Sequence, residues 1–230
     1  MGNYIAMKKE ITPEAFFKTL KAFIDKYDIC LDEVVYDDIE YRYDNVEPLF
    51  HMHGLAIFCY GATRGAFIPH DDCNFVFKFD FAGLDEEYCR READIYQSAE
   101  IEGLDRYFAK TQLYDEVGHA PIFIQEYVGE SSWDVDTELI KDEDVEKART
   151  AMSKTSYDAV DELPYRWVLN FIKLYGEKEF LRLCLFLEEE GINDLHDRNV
   201  GYIDGRPVLF DYSGYYENEF YEEKRNICKF

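Results

Sequence analysis

The chain has 230 residues, of which 47% are hydrophobic and 17% aromatic, so it can bury a substantial core, and general disorder is not expected. Its 49 acidic and 25 basic residues give a formal net charge of −24, which disfavours nonspecific nucleic-acid binding and binding to anionic membranes. In the simplest interpretation the excess acid serves solubility, and a basic partner is the alternative.

The six cysteines form no CxxC pair, and most of them lie in apolar runs such as AIFCY and RLCLF. We therefore expect reduced cysteines in the core. The N-terminal residues MGNYIAMKKEITPEAFF lack the apolar stretch of a signal peptide, and no window offers the ~18 apolar residues of a membrane span. These features predict a cytoplasmic protein.

The first half of the chain is predicted to contain a helix, a sheet and a second helix. Over residues 12–27, Phe16, Leu20 and Phe23 share one helical face, and Thr12 is a typical helix start. The segments predicted as antiparallel strands are GLAIFCY, RGAFIP, NFVFKFDF, TQLYDEV and APIFIQEYV. Between the third and fourth of these, helical periodicity without proline predicts a helix over residues 84–111.

The character of the sequence changes after Gly129. Residues 130–162 are acidic with little apolar periodicity, which predicts a connector with a short helix and a mobile insertion. Strong helical patterns follow in PYRWVLNFIKLYG and EKEFLRLCLFLEEEG, and then a hairpin with an Asp204-Gly205 turn. The predicted organisation is therefore 1–128, an acidic connector over 129–164, and 165–230.

The densest cluster of polar residues lies around this hairpin. Asp194 and Asn199 have four residues between them, and Asp211 follows the apolar run PVLF. Phosphoryl transfer needs oxygen ligands for metal ions and a carboxylate that orients or deprotonates the attacking hydroxyl. These three residues could supply that set, although Asp and Asn also cap ordinary surface turns.

The segment DLHDRN followed by LFDYSG resembles the catalytic loop and metal-binding turn of the protein-kinase-like superfamily, in its aminoglycoside-phosphotransferase and small bacterial or phage kinase branches. The family loop is His-x-Asp-x-x-x-x-Asn, which Asp194 and Asn199 match, whereas Ile192 replaces the histidine. The family turn is Asp-Phe-Gly, and here the turn from Asp211 to Gly214 is one residue longer. The resemblance implies an α+β, two-lobed protein-kinase-like fold with an antiparallel N-lobe sheet and a minimal, mostly helical C-lobe.

The resemblance also implies roles for individual residues. Asp194 would be the catalytic base or substrate-orienting carboxylate, Asn199 and Asp211 would bind Mg²⁺, and His196 would support the loop. ATP would be the phosphoryl donor.

Upstream segments follow the order of the same family. Gly61 and Gly65 match the glycine-containing turn over the phosphates, and Lys78 would contact phosphate and pair with a glutamate of the following helix. Glu92 is favoured for this pairing over Glu86 and Glu87, because apolar residues flank it on the face expected to be buried. The hinge residues that would bind the adenine are Glu126, Tyr127 and Val128. Taken singly, these features also suit an ordinary hairpin, a solvent-facing lysine and an edge strand. The prediction therefore depends on the order in which these features occur along the chain.

The sequence therefore predicts an ATP- and Mg²⁺-dependent phosphotransferase that acts on a hydroxyl of a protein or small molecule. A pseudokinase-like binding module for a basic partner and a nucleotidyl transferase stay open as alternatives. A further alternative is a metal hydrolase, with the ligands Asp194, His196, Asp197 and His119.

Overall fold

The computed structural model describes residues 11–31, 56–60, 63–69, 73–81, 87–132 and 140–214. The chain divides into two compact units, Met1–Val128 and Gly129–Phe230, and the division falls where the sequence predicted its first boundary. The fold is mixed α+β, with five α-helices and two antiparallel sheets in the described residues. Apolar and acidic residues partly alternate over residues 33–43 as in a strand, but this segment lies outside the described residues.

The first unit contains a five-stranded antiparallel sheet with strand order β1-β2-β3-β5-β4. Its strands are β1 (Ala56–Tyr60), β2 (Arg64–Pro69), β3 (Phe75–Asp80), β4 (Thr111–Val117) and β5 (Ala120–Glu126). The five predicted strands are thus confirmed. In the central strand β3, Lys78 lies opposite Ala66 of β2 and Phe123 of β5.

Helix α1 (Pro13–Tyr27) covers one face of this sheet, and the predicted amphipathic helix is confirmed. Thr12 caps it, because the Thr12 hydroxyl accepts a hydrogen bond from the N–H of Ala15 at 3.3 Å. The Phe16 and Phe17 rings lie 5.7 and 5.6 Å from the ring of Phe77. Because side chains alternate across a strand, the phenylalanines of β3 face α1 and Lys78 faces the opposite side.

Helix α2 (Tyr88–Glu102) lies on that opposite side of the sheet. The prediction of a helix up to residue 111 is wrong. The helix ends at Gly103, which adopts a left-handed φ of 67°, and the N–H of Leu104 closes the turn on the carbonyl of Ala99 at 2.8 Å. Glycine takes this conformation without strain, so it stops the helix although no proline follows. A 3₁₀ turn (Asp105–Tyr107) then leads into β4.

In its described residues, the second unit combines three α-helices and a 3₁₀ helix (Asp158–Glu162) with a small antiparallel sheet of order β6-β7-β8. Its elements are β6 (Glu130–Ser131), α3 (Asp142–Met152), α4 (Tyr165–Tyr175), α5 (Glu177–Glu189), β7 (Val200–Ile203) and β8 (Arg206–Leu209). Two predicted helices and the final hairpin are confirmed. Asp204 and Gly205 both have positive φ, 51° and 75°, which suits a tight turn between antiparallel strands.

The acidic segment is more ordered than a connector. Within its described part, α3 packs against α4 and buries Ala148, Ala151 and Met152, so this segment belongs to the core of the second unit. Apolar periodicity did not indicate this packing, because two of the three buried side chains are alanines, which add little to an apolar pattern.

Cys89 and Cys184 are buried free thiols, as predicted for core cysteines, while Cys30 and Cys73 are half-buried. Burial raises the pKa of the Cys184 thiol to about 12, which leaves it inert. Of the helices in the described part of the chain, none is both long and apolar enough to cross a membrane.

Candidate functional site

The first unit contains an ion pair between Lys78 on β3 and Glu92 on α2. Lys78 Nζ lies 3.1 Å from Glu92 Oε2 and 3.5 Å from Oε1. The Glu92 side chain is 0% exposed and that of Lys78 is 12% exposed. The predicted pairing of these two residues is therefore present in the structure, with the lysine at the margin of the buried region.

Two further residues contact the same carboxylate, and the sequence analysis had not singled them out. Arg64 Nη1, on β2, donates to Glu92 Oε1 at 2.6 Å, and Gln125 Nε2, on β5, donates to Oε2 at 3.2 Å. Gln125 Nε2 also lies 2.8 Å from the Thr111 hydroxyl. Glu92 therefore connects three strands of the sheet to α2.

A second anchor ties α2 to the sheet at its N-terminus. The N–H of Cys89 donates to both carboxylate oxygens of Asp80, at 2.9 and 3.1 Å. Burial raises the pKa of Asp80, and the bond from Cys89 and the charges of Arg64 and Lys78 oppose that rise. A strand residue thus supplies the helix cap that the helix itself lacks.

The other residues predicted to bind the nucleotide are those of the glycine-containing turn and of the hinge. Gly61 lies outside the described residues, and Gly65 lies within β2, paired with Phe79 of β3, so its backbone belongs to the sheet. At the hinge, the N–H of Glu126 donates to the carbonyl of Lys110 and that of Tyr127 to the carbonyl of Asn74, both at 2.9 Å.

These hinge bonds limit how an adenine could be bound there. Because the N–H groups of Glu126 and Tyr127 already have partners, hydrogen bonding to an adenine would fall to the carbonyl groups of this segment or to Val128.

In the second unit, the loop between α5 and β7 brings Asp194 and Asn199 together. Asn199 Nδ2 donates to the backbone carbonyl of Asp194 at 3.0 Å and to its Oδ2 at 2.7 Å. Asn199 is 6% exposed, and the apolar side chains of Ile192 and Leu195 are buried within the same segment. Since both amide hydrogens contact Asp194, the amide oxygen is the atom of Asn199 that can bind a cation.

His196 shapes this loop through its backbone and its ring. Its carbonyl accepts from the N–H of Asn199 at 3.0 Å, and its Nδ1 accepts from the N–H of Arg198 at 3.1 Å. Its Nε2 lies 3.4 Å from Asp194 Oδ1. These contacts fit the supporting role that the resemblance implied for His196.

Asp211 lies two residues after the end of β8, next to Phe210. The N–H of Phe210 donates to the carbonyl of Asn199 at 3.0 Å, so the turn begins beside the loop. At its other end Gly214 has a φ of 71°, and a Cβ there would lie 2.8 Å from Asn193 Oδ1. Tyr212 and Ser213 between them are buried. The turn is thus packed tightly against the start of the loop.

The electrostatics of the loop centre on Asp194. Burial raises its pKa above the ordinary 3.8, while His196 and the bond from Asn199 lower it. The negative charges of Asp211 and Glu162 raise it further. Two carboxylates close enough to affect each other in this way are a common arrangement for binding a cation or exchanging a proton.

The donor set of this loop suits Mg²⁺, which takes one or two protein carboxylates together with substrate phosphates and water. Asn199 and Asp211 would supply such oxygens. The described residues contain no group of three or more His, Cys, Asp or Glu side chains arranged for a metal ion. His119, named in the hydrolase alternative, lies in the first unit, in the turn between β4 and β5.

Comparison of the chain with family models, with curated proteins and with solved structures gave no match. The arguments for function therefore come from the residues of this chain and their contacts.

Proposed function

We propose that the chain is an ATP- and Mg²⁺-dependent phosphotransferase with a two-lobed protein-kinase-like fold, whose acceptor is a hydroxyl of a protein or small molecule. The observation that carries the proposal is the contact between Lys78 and Glu92 at 3.1 Å. Their positions were predicted from the order of segments alone, and a strand lysine ordinarily points to solvent. It is less common for a strand lysine to pair with a buried glutamate on the next helix, as Lys78 does with Glu92.

The second unit supports the proposal independently. Asp194 and Asn199 contact each other directly, and Asp211 affects the charge of Asp194. A structural turn needs a cap but gains nothing from a second carboxylate beside the first, because like charges repel. A cation bound between these oxygen ligands would offset the repulsion between the two carboxylates.

Each residue has a role in this proposal. Lys78 contacts the phosphates of ATP, and Glu92 orients Lys78. Asp194 orients or deprotonates the acceptor hydroxyl, while Asn199 and Asp211 bind Mg²⁺. When bound, the magnesium ion neutralises the charge of the phosphates, and ATP supplies the γ-phosphoryl group.

The test is phosphoryl transfer from ATP labelled in the γ-phosphate to acceptors in a cell extract. We expect labelling by the wild-type chain and none by Asp194→Ala or Asp211→Ala, each checked for folding by circular dichroism. Asp197→Ala, at a half-exposed aspartate of the same loop, is the matched control and should keep its activity. Equal labelling by wild type and Asp194→Ala would contradict the proposal.

The position of the label separates the alternatives. Transfer of label from the α-phosphate in place of the γ-phosphate would indicate a nucleotidyl transferase. ATP binding without any transfer would indicate a pseudokinase-like module, for which the net charge of −24 favours a basic partner. We also propose a cytoplasmic setting, which suits the buried free thiols of Cys89 and Cys184.

A further inference from the structure

The buried carboxylate of Glu92 is bound by more donors than one lysine supplies. It is 0% exposed, and burying a charge is costly unless it is paired and hydrogen-bonded. Arg64 contacts Oε1 at 2.6 Å, while Lys78 and Gln125 contact Oε2 at 3.1 and 3.2 Å. Two cations and one amide thus share this carboxylate.

The distribution of these donors over the two oxygens shows which cation can leave. If Lys78 turns away, Oε1 keeps Arg64 and Oε2 keeps Gln125, so each oxygen retains a donor. If Arg64 is lost, Oε1 keeps the 3.5 Å contact with Lys78, which is long for a hydrogen bond. Neutralisation of the buried Glu92 carboxylate therefore depends more on Arg64 than on Lys78.

The two donors that would remain are themselves positioned by neighbours. Arg64 lies opposite Asp80 in the β2–β3 register, and its guanidinium carbon is 5.7 Å from the ring centre of Tyr88. The amide nitrogen of Gln125 lies 2.8 Å from the hydroxyl of Thr111. A guanidinium also suits a buried carboxylate better than an ammonium, since it is planar and more weakly hydrated.

We infer that Arg64 is a positioning residue: it is the principal counter-ion of Glu92, and it leaves Lys78 able to turn to a phosphate group while the buried carboxylate stays neutralised. The identity of that anion, a nucleoside triphosphate, rests on the proposed function. The pairing itself is a property of the first unit and is testable without any ligand.

The first arm of the test is thermal unfolding of the intact chain without ligand. We expect Arg64→Met to lower Tm by about 10 °C, because it removes the closest counter-ion of a buried charge, and Lys78→Met to lower it by less than half as much. Adding Glu92→Gln to Arg64→Met should restore most of the loss, since the buried charge is then gone. Arg64→Lys, which keeps the charge, should lie in between.

Arg182→Met, which removes an arginine from an exposed helical pair with Glu179, is the matched control and should change Tm little. A larger loss in Lys78→Met than in Arg64→Met would overturn the inference. So would a loss in Arg64→Met that Glu92→Gln does not relieve. If Arg64→Met does not fold, the comparison of Arg64→Lys with Arg64→Lys/Glu92→Gln decides in the same way.

The second arm is calorimetric titration with Mg²⁺ and ATP. We expect Arg64→Met to weaken binding about tenfold, the equivalent of one hydrogen bond, because Glu92 then retains Lys78. Adding Glu92→Gln keeps an oxygen that can accept a hydrogen bond from Lys78 but removes the charge that retains it. It should therefore reverse the effect, which a purely structural defect at Arg64 would not do. Weakening that Glu92→Gln fails to reverse would overturn the inference. If wild type does not bind ATP although the Tm pattern appears, the proposed function fails and the counter-ion role stands.

Discussion

The side-chain amide nitrogen of Asn199 donates two hydrogen bonds to Asp194, one to its backbone carbonyl at 3.0 Å and one to its Oδ2 at 2.7 Å. The residue that the proposal makes a metal ligand is therefore also the residue that holds the proposed base. Removing Asn199 should affect the shape of the loop and its chemistry together.

We expect Asn199→Ala to lower the free energy of unfolding by about 1–3 kcal/mol, because the buried groups of Asp194 lose their donor. Phosphoryl transfer should fall by about a hundredfold through loss of a metal ligand. Urea denaturation and a labelled-ATP assay measure the two effects. The control is Asn170→Ala, which removes a side-chain bond to Tyr202 in the same unit at 3.1 Å. Similar loss of activity in both variants would speak against a special role for Asn199.

The tight turn after Asp211 predicts that Gly214→Ala is harmful for two reasons. Its φ of 71° disfavours any side chain, and a Cβ would lie 2.8 Å from Asn193 Oδ1. Gly205→Ala isolates the first reason, because Gly205 has a similar φ of 75° but nothing within 4 Å of its Cβ position. By urea denaturation, Gly205→Ala should cost about 1 kcal/mol, and Gly214→Ala about 1–3 kcal/mol more.

Activity distinguishes these two glycine variants further. Gly214→Ala should also reduce phosphoryl transfer, since the turn that carries Asp211 must shift, whereas Gly205→Ala should not. Equal effects of both substitutions on stability and activity would mean that the close packing of the turn is unimportant.

The raised pKa of Asp194 predicts a particular pH dependence of stability. Burial is the main cause, so the folded chain holds the proton of Asp194 to higher pH than the unfolded chain. The stabilising contribution of this group is fully present below pH 3.8, its ordinary pKa, and is lost as pH rises through the raised folded pKa.

Asp194→Asn removes this contribution. Its free energy of unfolding, measured by urea denaturation, should therefore rise relative to wild type as the pH increases above 3.8. Asp197→Asn, at a more exposed aspartate of the same loop, serves as the comparison. A difference between Asp194→Asn and wild type that stays constant with pH would show that Asp194 is not destabilised by its burial.

The cap of α2 by Asp80 is testable by hydrogen exchange. We expect Asp80→Ala to cost about 0.5–2 kcal/mol, as for other helix caps, and to accelerate amide exchange at Cys89 first. Asp94→Asn, at an exposed position of the same helix, should leave exchange there unchanged. Unchanged exchange at Cys89 in Asp80→Ala would show that the bond at 2.9 Å contributes little.

Local pattern was enough to predict most of the elements. The strands of the first unit and helices α1, α4 and α5 appear where alternation or helical periodicity placed them. The end of α2 was predicted wrongly because of a single residue, Gly103. Its left-handed backbone conformation ends the helix, and the periodicity of apolar residues does not indicate such a conformation.

The candidate site was predictable only where it depends on the order of segments along the chain. Lys78 and Glu92 were predicted because they stand where the resembled family has its paired lysine and glutamate. Arg64 and Gln125 were missed because they reach Glu92 through the register of β2 and β5 against β3, and strand register depends on pairings distant in sequence. The available signal was the position of Arg64 two residues before Ala66 in β2, which places its side chain on the sheet face that carries Lys78.

Binding of ATP to the purified chain tests most directly the proposal that the chain is an ATP- and Mg²⁺-dependent phosphotransferase. Calorimetric titration with and without Mg²⁺ would be made on wild type, Lys78→Met and Asp211→Asn. We predict Mg²⁺-dependent binding by wild type that both variants lose. Binding that is absent from wild type, or that persists unchanged when either residue is replaced, would contradict the proposal.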